Sequence, residues 1–292
     1  MGAEGAVRGR GFGMGFEEMF VPGTEAGRDG VRAVLAAPGD AVIGLDFDGT
    51  LAPIVADPGR ARAHPGVVGA LRRLGSVVGA VVVVTGRPAA VAVEYGGFAG
   101  LPGVVVLGHY GAERWEDGKL SAPEAHPGVA RVRDVLPVVL ERVGAPEGTW
   151  VEDKGRSVAV HTRRTAAPEE ALQLLRAPVG DLAAEHGLVV EPGRLVLELR
   201  PPGVDKGAAL TGFLRERGAR AVLYAGDDLG DVAAFAAVEK LRGEGVAGVL
   251  VCAGAVGDAP VRELADRADL VVAGPEGVVE LLGALGEALT GR

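Results

Sequence analysis

Residues 42–54 read VIGLDFDGTLAPI, an apolar run that ends on two carboxylates, Asp46 and Asp48, one residue apart. An unbroken apolar run is the mark of a strand buried on both faces, as in a parallel sheet. Three further runs stop in the same way: AVVVV before Thr85, GVVVL before Gly108 and AVLYA before Gly226. Between them lie segments of helix length, such as HPGVVGALRRLG (64–75) and KGAALTGFLRERG (206–218), with apolar residues at helical spacing and glycine at the stop. Strand, helix and strand in repetition predict an α/β fold with a doubly wound, mainly parallel sheet.

The middle of the chain has a different pattern. Helical spacing over 129–143 and 168–186 is set against TWVEDKGRSVAVHTRR and GLVVEPGRLVLELRPP, where apolar and polar residues alternate. Alternation suits a sheet packed on helices by one face only, so residues 121–200 are expected to form an inserted α+β cap domain. Residues 40–120 and 201–292 then make the core. Residues 1–39, rich in glycine at the start, are expected to be a flexible segment with a possible helix.

Bulk composition narrows the function. Of the 292 residues 48% are hydrophobic and 24% charged, and the formal net charge is -9. That balance argues against a nucleic-acid surface, which needs clustered Lys and Arg. The longest apolar segment, near 77–84, is short and interrupted by glycine, so no membrane role is expected. The first residues lack a continuous apolar core, making a poor signal peptide, and the single cysteine, Cys252, sits in an apolar run. A cytoplasmic location is the expectation.

In a doubly wound sheet, ligands gather beyond the carboxyl ends of the strands. Asp46, Asp48, Thr85, Asp227 and Asp228 all fall there. Clustered carboxylates repel one another unless a cation sits among them, and oxygen-only donors favour magnesium. By alternation Asp46 and Asp48 point one way and Phe47 the other. Gly49 permits a tight turn that Thr50 can tie. One carboxylate suits attack on phosphorus and the other proton transfer to and from the leaving oxygen. Thr85 and Lys206 supply a hydroxyl and a charge for a phosphoryl group, and Asp231 is a helix cap or a partner of the metal ligands. Arg87 is a candidate for orienting its loop and for touching substrate. His64, His126 and His186 have no partners at zinc spacing.

Taken together, DFDGTLAPI, VVTGRP, GVDKGAAL and YAGDDLGDVAAF resemble, in that order, the four motifs of the haloacid-dehalogenase-like (HAD) superfamily, from about Asp40 to the end. More narrowly, DFDGTLAPIVADP, GHYGAERW, VEDKGRSVAVHTR and LVLELRPPGVDKGAAL resemble the trehalose-6-phosphate phosphatases. The resemblance implies a phosphoric monoester hydrolase of trehalose biosynthesis, acting on a small sugar phosphate through a phospho-aspartyl intermediate. It implies that Asp46 is the nucleophile and Asp48 the acid/base. It implies magnesium held by Asp46, the main-chain carbonyl of Asp48 and Asp227; Asp228, next in the same run, is a further candidate ligand, with Asp231 behind them. In the cap it implies that Glu152, Lys154 and Glu198 read sugar hydroxyls, and in the core Gly111 and Glu113 are expected near the substrate. Other capped sugar-phosphate phosphatases, for sucrose phosphate or glucosylglycerol phosphate, are alternatives, as is a phospho-acceptor signalling domain. One departure stands out: family members often carry histidine where this chain has Tyr110, the histidine standing instead at 109.

Overall fold

The computed structural model describes residues 16–55, 57–193, 195–254 and 259–291. Its main sheet has eight strands: β1 (Ala41–Leu45), β2 (Ala80–Val84), β3 (Val104–Gly108), β4 (Glu113–Glu116), β5 (Lys119–Ser121), β10 (Ala221–Gly226), β11 (Ala247–Ala253) and β12 (Leu270–Val272). Their spatial order is β12-β11-β10-β1-β2-β3-β4-β5. All neighbours from β12 to β3 are parallel, and β4 and β5 add an antiparallel edge. The order therefore reverses at β1, which lies between β10 and β2. That reversal opens the crevice beyond the ends of β1 and β10.

Helices cover both faces of the central parallel strands, and β1, β2, β3 and β10 are buried along their whole length. Ile43, Leu45, Val81 and Val83 pack into one core with α2 (Glu25–Ala36), α3 (Val67–Leu74), α4 (Ala89–Gly96) and α10 (Gly274–Thr290). Val42, Val82 and Val84 pack into the other, with α7 (Lys206–Arg217) and α8 (Val232–Gly243). α1 (Phe16–Met19) is a single turn, and α9 (Ala259–Ala265) leads to β12.

Flexibility does not describe the whole segment before Asp40. Residues 1–15 lie outside the described residues, but Thr24 caps α2 by accepting from the Gly27 amide at 3.0 Å. A helix of 12 residues is marginal in water on its own. Burial of Val31, Val34 and Leu35, at about 1.5–3 kcal/mol per side chain, decides the matter in its favour. Gly30 allows the close approach: a Cβ there would lie 2.2 Å from the Gly248 carbonyl oxygen of β11.

Between β5 and α7 the chain forms a second, antiparallel sheet of order β6-β7-β9-β8. Its strands are β6 (Trp150–Asp153), β7 (Val158–His161), β8 (Val189–Gly193) and β9 (Val196–Arg200). Two helices, α5 (Pro127–Arg142) and α6 (Pro168–Glu185), pack with it around Leu136, Val160, Leu175 and Leu197. One hairpin escapes the pattern of apolar runs: β4 and β5 are joined at Asp117-Gly118, with φ of +49° and +77°. Asp-Gly is the dipeptide that such two-residue turns require.

Among the described residues, no helix is long and apolar enough to cross a membrane.

Candidate active site

Each side chain expected to act on phosphorus is carried by the end of a parallel strand or the start of the helix beside it. Asp46 follows β1 and is buried, and it accepts from the Lys206 ammonium at 2.7 Å. Lys206 opens α7, whose N-cap is Asp205, and also reaches Asp231 at 2.8 Å. Asp227 and Asp228 follow β10. Oxygens of Asp46, Asp227 and Asp231 come within 4.8 Å of one another.

Asp231 is the best tied of the three. It accepts from Lys206 and from the Tyr224 hydroxyl at 2.7 Å through one oxygen, and from the amides of Asp227 and Asp228 at 3.1 and 3.3 Å through the other. A carboxylate offers about four lone-pair sites, so Asp231 is spent on shaping the loop. Asp46 and Asp227 keep free positions. Asp228 caps the turn that follows by accepting from the Gly230 amide at 2.9 Å. Thr50 does not tie its own turn but donates across to Asp227 at 3.3 Å.

Gly49 is needed twice. Its φ of +88° is left-handed, and a Cβ there would lie 2.0 Å from the Asp227 carboxylate. The turn and the acidic loop after β10 are thus fitted face to face.

One ammonium faces four carboxylates. Burial pushes Asp46 well above the ordinary carboxylate range against the pull of Lys206, and Asp231, Asp227 and Asp228 push it further. Burial, then Asp231 and Asp228, raise Asp227 to about 8. Burial opposes the charge on Lys206, but Asp231 and Asp46 outweigh it and hold the ammonium above its usual range. The surplus negative charge, the all-oxygen donors and the enclosed position fit a hard divalent cation between Asp46 and Asp227.

Asp48 is turned elsewhere. Both its oxygens accept from Arg87, from Nε and from an Nη at 2.6 Å each. Of Asp48, the main-chain carbonyl is thus left for a cation. Thr85, buried at the end of β2, accepts from the Arg87 amide at 3.1 Å, which fixes the turn between them.

The other expected residues lie where the cap meets the core. Glu113, on β4, accepts from the Ala89 amide at the start of α4 at 2.9 Å and from Arg156 of the cap at 3.2 Å. Gly111, with φ of +95°, leaves room for Ala209 of α7, which a Cβ would approach to 2.6 Å. Glu152 is half-exposed and meets His161 at 2.8 Å. That hydrogen bond, partly opposed by burial, holds Glu152 below the usual carboxylate range. Alternation predicts an exposed sheet face for Glu198, yet it is only 5% exposed because the core covers it. It accepts from Lys154 at 2.8 Å, from Ser157 at 2.6 Å and from Tyr110 of the core at 3.3 Å. Lys154 therefore partners Glu198 and not Glu152. Burial works against the charge of Glu198, but Lys154 and Ser157 keep it below the usual range.

Sequence reasoning passed over Tyr224, Ser157, Arg156 and the reach of Tyr110. Tyr224 sits inside an apolar strand and reads as core, and the others acquire partners only through the long connections of the cap.

The family model described as trehalose-phosphatase matches residues 44–269. A trehalose-phosphate phosphatase of Mycobacterium marinum is 36% identical over 219 residues, which cover 70% of this chain and 53% of that protein. The chain thus spans about half the length of the mycobacterial relatives it matches. A trehalose-6-phosphate phosphatase of Escherichia coli is 30% identical over 206 residues, 69% of this chain and 75% of that protein. Among solved structures, the C-terminal domain of a Candida albicans trehalose-6-phosphate phosphatase aligns with a TM-score of 0.69 at 22% identity, over 91% of this chain and 97% of that one. A trehalose-6-phosphate phosphatase of Aspergillus fumigatus aligns with a TM-score of 0.65 at 23% identity, over 91% and 98%. A HAD-like hydrolase of Bacteroides thetaiotaomicron, at 19% identity and a TM-score of 0.52, shares the fold.

Proposed function

The chain belongs to the trehalose-phosphatase family, and from that premise we propose that it hydrolyses trehalose 6-phosphate to trehalose and phosphate in the cytoplasm, with magnesium as cofactor. The observation that carries the proposal is the pairing of Asp46 with Lys206 at the reversal of the sheet, beneath a cap that presents Glu198 and Lys154. A nucleophile held beside a buried ammonium suits phosphoryl transfer, which depends on position and on neutralised charge. Two charged groups of the cap, already partnered, suit hydroxyls that can exchange with them.

An oxygen of Asp46 attacks phosphorus, and the bond from phosphorus to the sugar oxygen breaks as Asp48 gives that oxygen a proton. Asp48 then takes a proton from water, whose oxygen attacks the same phosphorus. The acyl-phosphate bond breaks, and Asp46 is freed with inorganic phosphate. Asp48 enters this cycle only when its pair with Arg87 opens. Lys206 neutralises Asp46 and the phosphoryl oxygens, and Thr85 donates its hydroxyl to one of them. Asp46, Asp227 and the carbonyl of Asp48 would hold magnesium, with Asp228 beside them and Asp231 bracing the loop. When bound, the cation supplies positive charge against the phosphoryl oxygens. Arg87, Glu113 and Gly111 shape the rim, while Glu152, Lys154 and Glu198 meet the sugar.

Phosphate release from a panel of sugar phosphates, with magnesium and with chelator, tests the reading. Trehalose 6-phosphate is expected to be the best substrate, and only with the cation. Preference for sucrose phosphate or glucosylglycerol phosphate would replace the substrate but not the chemistry.

A further inference from the structure

The turn after β3 is unusual in its backbone. His109, Tyr110 and Gly111 have φ of +47°, +57° and +95°, three left-handed residues in succession. Only the last is glycine, so the first two are held against a steric preference, a condition that concentrates at functional sites. The turn is zipped to the neighbouring loop: the His109 amide donates to the Arg87 carbonyl and the Tyr110 amide to the Thr85 carbonyl, each at 2.9 Å. Tyr110 is therefore fixed to the loop that carries Thr85.

Its side chain crosses to the cap. Gly86 makes the space, since a Cβ there would lie 2.6 Å from the phenol oxygen. The Arg200 guanidinium, at the end of β9, lies over the ring at 4.5 Å. The hydroxyl donates to the same oxygen of Glu198 that accepts from Lys154. Burial, with the charge of Glu198, raises the pKa of this phenol, so it stays protonated and a donor. Lys154 and Ser157 lie in the β6–β7 hairpin of the same sheet as Glu198, so they cannot set it relative to Asp46. Tyr110 can, because its main chain is anchored beside Thr85.

We propose that Tyr110 is a positioning residue for specificity, whose hydroxyl registers the cap's Glu198 against the phosphoryl site of the core. The proposal rests on the reading of Glu198 as a sugar contact. Tyr110 takes no part in bond making at phosphorus. Its loss would misplace the sugar relative to Asp46, and a hydrogen bond to a charged group is worth roughly ten- to a hundredfold.

Tyr110→Phe keeps the ring against Gly86 and Arg200 and removes only the hydroxyl. The ratio of kcat/KM for trehalose 6-phosphate to that for p-nitrophenyl phosphate is expected to fall about tenfold, carried mainly by KM for the sugar. A ratio unchanged from wild type overturns the proposal. In the Glu198→Ala background the same substitution should change the ratio no further, whereas additive losses would separate the two residues and overturn the coupling. A second measurement needs no substrate. Spin labels at Leu174→Cys on the cap and Lys240→Cys on the core should show a longer and broader distance distribution in Tyr110→Phe. Identical distributions overturn the proposal even where no sugar phosphate is hydrolysed, an outcome that would by itself remove only the substrate assignment.

Discussion

The mouth of the core and the face of the cap both present acidic and basic side chains, but they hold them in opposite ways. In the core, Asp231 is fully buried and accepts from four donors, and Lys206 bridges two carboxylates. In the cap, Glu152 keeps 46% of its side chain exposed and has His161 beside it, itself stacked on Trp150 at 4.3 Å. A buried, interlocked network cannot lose one member without stranding the rest. A half-exposed pair can, because water takes over. Core substitutions should therefore abolish chemistry for every substrate, and cap substitutions should alter only the choice among substrates.

Asp46→Asn should have the largest effect, lowering kcat by about 10⁴-fold or more on sugar and aryl phosphates alike. Turnover retained in this variant would remove the nucleophile from the core. Lys206→Ala should follow, with a loss of about 10²–10³-fold in kcat. It should also cost about 3–5 kcal/mol of stability by denaturant unfolding, because Asp46 and Asp231 lose their buried counter-charge. A stability change within ~0.5 kcal/mol would mean that this network is solvated like the cap's.

Glu198→Ala tests the boundary between the two regions, since Glu198 belongs to the cap yet is buried like the core. Its kcat/KM for trehalose 6-phosphate should fall about 10- to 100-fold, with a much smaller loss for an aryl phosphate. Equal losses would make Glu198 structural. A smaller effect concerns pH. Without a cation the folded protein keeps a proton on Asp227 up to about pH 8, while an unfolded aspartate loses it near ~4. Stability of the cation-free protein should fall as pH rises across that window. Saturating magnesium replaces the proton and should raise Tm more at pH 8 than at about pH 6; equal increments would exclude Asp227 as a ligand. Glu152→Gln should be the mildest, changing stability by less than ~1 kcal/mol and kcat/KM for the sugar phosphate by only a few-fold. A loss as deep as that of Glu198→Ala would mean that exposure is a poor guide to function in the cap.

The same contrast governs what could be read from the chain. Asp46, Thr85, Lys206 and Asp227 are legible because each follows an apolar run or opens a helix, so its place at the strand ends is dictated locally. Glu198 is legible in part: alternation along RLVLELR puts it opposite the leucines but does not show that the core covers it. The pair of Asp48 with Arg87 joins residues 39 apart in sequence, and that of Tyr110 with Glu198 joins residues 88 apart. Such pairs follow from topology and leave no local pattern. The β4–β5 hairpin is the opposite case, since Asp117-Gly118 announces the turn and only the weight given to apolar runs hides it. Within the first 39 residues, α2 shows itself in the Thr24 cap and in the spacing of Val31, Val34 and Leu35.

The central claim is that Asp46 carries the phosphoryl group during turnover. Acid-quenched turnover of trehalose 6-phosphate with magnesium, followed by mass spectrometry of the peptide that holds residue 46, measures this directly. The prediction is a phosphorylated peptide at Asp46 in the wild type and none in Asp46→Asn. Phosphate release at the wild-type rate by Asp46→Asn, with no adduct in either protein, would contradict it.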